Sequence, residues 1–215
     1  MRTAAVKPSL RGVSHQWALL VAVVAGTALV VATPAGSSRL AVAVYVASLC
    51  GMLGASASYH RIDWSPRCEG AARRLDHSMI FVLVAGTYTP FAVLVMDGPM
   101  ADAVLVSVWS AALLGVVFTT AFTNPPTWLR TGLCAALGWA SLIAAPQLID
   151  HAGLGAAGLL LLGGLLYTAG GVVYVRQRPD PVPHVFGFHE VFHVLVLAAS
   201  AVHFAAVAIY ALPGA

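Results

Sequence analysis

His189-Glu190-Val191-Phe192-His193 places two imidazoles four residues apart. On a helix such positions sit ~40° from each other, so both rings face the same way. Helices hold Zn²⁺ through this spacing, and the letters H-E-x-x-H also match a metalloprotease motif in which the glutamate is general base. The run after His193, VLVLAASAVHFAAVAIYAL, is long and apolar enough to cross a bilayer, which puts any metal in or at a membrane. A second polar group lies upstream: Ser56 and His60, again four apart, and Asp76. Together His60, His189 and His193 would supply three nitrogens, the set that catalytic zinc uses while keeping a fourth position for water. Water held there has its pKa lowered to about 7. Asp76 would hold that water, accept its proton or orient a ligand imidazole, and Ser56 would hydrogen-bond the water or a developing oxyanion.

For these groups to meet, distant segments must reach one level. The 215 residues are 60% hydrophobic and only 9% charged, with a mean hydropathy of +0.87, whereas soluble domains are about 25% charged. This composition reads as a polytopic, all-α membrane protein. Seven segments have the length of a crossing: 17–35, 40–60, 75–96, 101–120, 129–148, 152–175 and 188–211. Proline and glycine punctuate the gaps, as in Asp97-Gly98-Pro99 and Asn124-Pro125-Pro126. The sixth is the least sharply bounded, and its glycines, from Gly153 to Gly171, read as permitting close helix packing rather than breaking the helix. The basic stretch Met1–Arg11 precedes the first span as in a signal peptide. With further spans following and no clear cleavage site, that segment reads as retained. No linker or soluble domain interrupts residues 1–215, so they form one bundle.

Ten of the eleven Lys and Arg residues fall before span one or between spans two and three, four and five, and six and seven; Arg39 alone falls on the other side. The positive-inside rule then places the N-terminus in the cytoplasm and, after seven crossings, the C-terminus outside. His60 ends span two, Asp76 begins span three and His189 and His193 begin span seven, so all four lie just beneath the cytoplasmic face. The net charge of +3 follows from this topology, and no basic stripe suggests nucleic acid. Cys50, Cys68 and Cys134 are scattered and predict neither a disulfide-linked partner nor a thiolate zinc site.

Plainer readings stand beside these. The pair His189 and His193 could be a polar patch at the headgroups. Asp76, close to Arg73 and Arg74, could be a helix-start residue favoured by the dipole, and Ser56 a small packing residue. His15, His151 and His184 fall in flanks or loops and are expected to be solvated, while His77 points about 100° from Asp76 towards the vestibule. His203 lies ~21 Å along the helix from His189; it and Ser200 are expected to make interhelical hydrogen bonds. A protease reading would make Glu190 the base, but no acidic residue follows it to complete an intramembrane metalloprotease site.

Three stretches in order, Ser56-Ala-Ser-Tyr-His60-Arg, Leu75-Asp-His-Ser-Met-Ile-Phe through Pro90-Phe, and Gly187-Phe-His-Glu-Val-Phe-His193 with Ala201-Val-His203-Phe, resemble the bacterial hemolysin III family. That family is related to the progestin and adipoQ receptors and, more distantly, to alkaline ceramidases. The resemblance covers essentially the whole chain. It implies a seven-span bundle in the cell membrane with zinc on His60, His189 and His193 and Asp76 reaching the metal through water. It further implies ceramide-type amide hydrolysis or membrane lipid homeostasis as the setting. The leading expectation is a zinc-dependent hydrolase of a lipid amide or ester entering from the bilayer. A non-catalytic sensor of membrane state with structural zinc is second. A pore or cytolysin is third, since no run of polar residues threads any span.

Overall fold

Among residues 8–122 and 124–212, which the computed structural model describes, the chain forms α1 (Val13–Ala32), α2 (Ser37–Arg61), α3 (Pro66–Leu94), α4 (Gly98–Ala121) and α5 (Thr127–Trp139). A 3₁₀ turn (Ala140–Ala144) leads into α6 (Ala145–Arg176), and α7 (Phe188–Ala206) ends in a π turn (Val207–Ala211). Arg2 and Lys7, used above in the charge count, lie outside the described residues. Apolar segments of this length adopt helices because lipid offers no partner for a bare N–H or C=O. Six helical stretches are long and apolar enough to cross a membrane. Large side chains such as Val24, Leu114, Ile143 and Leu154 are exposed, as befits surfaces that face lipid rather than water.

The interior is built on α2 and α3. Val42, Tyr45, Leu49, Leu53 and Phe81 are buried there, and α1 and α4 pack on either side. Helix α7 pairs with α6 and also touches α1, so the first and last described helices are neighbours.

Three boundaries depart from the expected spans. Helix α1 stops at Ala32, and Thr33 turns extended (ψ 136°) because the residue before a proline, here Pro34, is pushed out of the helical region. Helix α3 begins at Pro66, well before Leu75, with Ser65 at its cap and proline at its start, a favoured opening. The helix therefore projects past the apolar span, and Asp76 lies inside it rather than at its start. The helix-start reading of Asp76 is overturned. Gly153 is the third: it is not helical but sits at φ 78°, ψ 173°, a left-handed φ open to glycine. The expectation that it packs rather than breaks the helix is wrong. The chain doubles back around it. Trp139 Nε1 donates to Thr168 Oγ1 at 2.9 Å and Arg130 Nη2 to Tyr174 OH at 3.3 Å, so residues 130–139 run antiparallel to 168–174. Other glycines behave as expected: Gly163 lies against the His203 ring and Gly171 against Thr131.

Candidate metal centre

Each polar side chain owes its place to a helix end or a helix face. His60 is in the last turn of α2, Asp76 on the inward face of α3, and His189 and His193 in the first two turns of α7. The start of α7 is held by two carboxylates. Gly187 N–H donates to Glu190 Oε2 and Phe188 N–H to Asp180 Oδ1, both at 2.8 Å, which satisfies donors that a helix start leaves open. Glu190 Oε1 accepts from Arg11 Nε. Both oxygens of Glu190 are thus engaged in structure, which removes it from the role of a protease base.

The three sequence-assigned ligands converge. One potential ligand atom from each of His60, His189 and His193 lies within 4.8 Å of the others, and all three nitrogens belong to the interior. His60 Nε2 and His189 Nε2 are 3.2 Å apart. A tetrahedral ion with metal–nitrogen bonds of 2.0–2.1 Å sets neighbouring nitrogens roughly 3.3 Å apart. His193 is 1% exposed and its Nδ1 is buried without a hydrogen-bond partner. Spacing, donor type and this orphaned nitrogen all fit a divalent metal. Asp76 Oδ2 is 3.9 Å from His60 Nε2, and its carboxyl faces the Ser56 hydroxyl.

Sequence reasoning misplaced one residue and missed others. His15, expected in a solvated flank, is 2% exposed. Helix α1 starts earlier than its apolar stretch, which carries His15 inside. Its ring stacks on His193 with centroids 3.9 Å apart and planes 9° from parallel, and its Nδ1 is 2.8 Å from Ser56 Oγ. Ser56 is therefore tied to His15 and Asp76. Tyr174 meets His189 edge-on at 5.5 Å and accepts from the buried Arg130. Arg130 and Tyr174 lie at matching ends of the expected spans 129–148 and 152–175, but neither belongs to a motif that marks it. His151 and His184 are exposed as expected, whereas His77 lines the interior cavity and not the opening beside the α7 start. His203 Nε2 donates to Leu160 O at 3.2 Å, and Ser200 pairs with Tyr167 OH at 2.8 Å. The three cysteines are free.

Two cavities flank the histidine cluster. One of about 650 Å³, with mixed polar and apolar walls, opens beside the α7 start and is lined by Arg11, His60, Asp63, Glu69 and Asp180 among others. The second, also about 650 Å³, runs between α3, α5, α6 and α7 with mostly apolar walls; Asp76, His189 and His193 stand at its polar end with Arg130 and Tyr174.

The sequence matches, over residues 3–204, the family model described as haemolysin-III related. Hemolysin-3 of Bacillus cereus is 32% identical over 179 residues, 83% of this chain and 78% of that protein. The Hemolysin-3 homolog of Bacillus subtilis (strain 168) is 40% identical over 138 residues, 63% of this chain and 61% of that protein. The human Monocyte to macrophage differentiation factor is 23% identical over 168 residues, 76% of this chain and 67% of that protein.

Proposed function

The chain belongs to the haemolysin III family, and from that premise we propose that it is a zinc-dependent hydrolase of a lipid amide or ester. One observation carries the reading: the clustered histidines stand between two cavities, His60 lining one with charged and polar residues among its walls and His189 and His193 lining a mostly apolar one. A hydrolase of lipids needs both supplies, water from one side and acyl substrate from the other. Zinc, held by the three histidines, would supply polarisation of the scissile carbonyl and acidification of water. The remaining work falls to the chain. The walls of the second cavity bind acyl chains and exclude bulk water. Arg130 and Tyr174, at its polar end, orient the head of the substrate. Asp76 Oδ2 takes the proton of the attacking water, the role of a general base. Ser56 holds the Asp76 carboxyl in place through its hydroxyl.

The same proposal includes seven crossings with a cytoplasmic N-terminus and an external C-terminus. As one straight helix, the 50-residue stretch Thr127–Arg176 would measure about 75 Å, against a hydrocarbon core of about 30 Å. The reversal at Gly153 divides it into two crossings. Tags at the two termini should report opposite sides of the membrane; both on one side would end this topology.

Purified protein reconstituted in liposomes with a panel of ceramides and other acyl lipids tests the chemistry by fatty-acid release. Wild type should release fatty acid. Asp76→Asn should keep zinc and lose 10²–10⁴-fold in rate, the usual cost of a missing general base. His189→Ala should lose both metal and activity. No release from any lipid, with zinc bound and a membrane-fluidity phenotype that survives Asp76→Asn, would establish the sensor instead. Leakage of an entrapped dye without fatty-acid release would point to a pore.

A further inference from the structure

We infer that His15 is a positioning residue of the metal centre, fixing the ring of His193 by stacking while its own ring is held against Ser56. The inference rests on the proposed metal site at His60, His189 and His193.

Three contacts press the start of α1 onto the elements that bear the site. Arg11 pairs with Glu190 beside His189. Gly12, at φ 77°, lies so close to α2 that an added Cβ would stand 2.5 Å from His60 Cβ. One turn on, His15 covers a face of His193 at 3.9 Å in a near-parallel stack. The His193 ring also meets His189 and His60 at centroid distances of 4.5 and 5.1 Å. With His15 on its flat side, His193 cannot swing out of the cluster without displacing a second buried ring.

His15 also meets the neighbouring polar groups. Its Nδ1 is 2.8 Å from Ser56 Oγ, and the Ser56 hydroxyl faces the carboxyl of Asp76. The ring that braces His193 is thereby anchored to α2 as well.

Cobalt(II) titration of the purified full-length protein, followed by its d–d absorption, reads this directly without any substrate. Wild type should bind about one Co²⁺. Partners that orient ligands typically contribute 10–100-fold to metal affinity, and His15→Ala should lose that much and shift the band. His15→Phe keeps a stacked ring and should return to within about threefold of wild type. His15→Asn keeps a donor near the Nδ1 position without the ring and should remain weak. His203→Ala, a buried change elsewhere on α7, should lower thermal stability and leave the spectrum unchanged. Wild-type affinity and spectrum in His15→Ala would overturn the role, as would equal affinity in the Phe and Asn variants should His15→Ala fail to fold. A wild type with no stoichiometric cobalt site would overturn the metal reading itself, and His15's role with it.

Discussion

Helix α7 carries histidines in two settings. At its start, His189 and His193 are turned towards His60, with His15 stacked behind. Further along, His203 donates Nε2 to Leu160 O, and Ser200 one turn earlier pairs with Tyr167. Both settings are buried, and each leaves one ring nitrogen without a partner, His193 Nδ1 and His203 Nδ1. The neighbours differ. His203 is surrounded by a carbonyl, a tyrosine ring and aliphatic walls, which use it as interhelical glue. His193 is surrounded by imidazoles, and one nitrogen each of His60, His189 and His193 lies within 4.8 Å of the others. Burial of a polar group does not by itself mark a site inside a membrane; burial among groups of one kind, all donors to the same point, does.

The comparison breaks most easily at the metal. His193→Ala should reduce the metal content from about one ion per chain to none by elemental analysis, while His203→Ala should retain it. Loss of metal in both variants, or in neither, would erase the distinction between the two ends of α7. A smaller effect is expected from Arg11→Ala, which leaves the Glu190 carboxylate buried without its partner. Breaking a buried ion pair in this way costs about 3–5 kcal/mol, seen as a lower unfolding midpoint in detergent with metal still bound. Adding Glu190→Gln should recover part of the loss. Smallest should be Ser200→Ala, since a hydrogen bond between membrane helices averages about 0.6 kcal/mol. A fall in metal affinity there would show that the glue region and the site are one unit.

The clustering of His60, His189 and His193 was legible in sequence because helical spacing and charge topology are both local rules. Ser56 and His60, and His189 and His193, are four apart, and the Lys and Arg bias sets their depth without any knowledge of packing. His15 was not legible for the opposite reason. It has no histidine or carboxylate one turn away, and it lies in the flank that hydropathy discards, although the helix runs through it. Asp76 was assigned to the site but misplaced at a helix start, because an apolar window measures the membrane and not the helix. Ser65-Pro66 held the true start. The spans 129–148 and 152–175 already part the chain here, but Gly153 itself groups with glycines that pack, since only a backbone angle separates the two uses. Consecutive spans put Arg130 and Tyr174 at matching ends, but which helix faces meet is not written in span lengths.

The site draws on α1, α2 and α7, and His60 precedes His189 by 129 residues. At translation rates of 5–20 residues per second, roughly 6–26 s separate the synthesis of the first ligand from that of the second. During that interval His60 and His15 are already made, without the two rings they face in the finished protein. The histidine cluster thus closes only when the final helix docks between α1 and α6. Ion loading would then be a late event of biogenesis, and a chain cut short before α7 would carry no ion-holding trio to disguise it as complete.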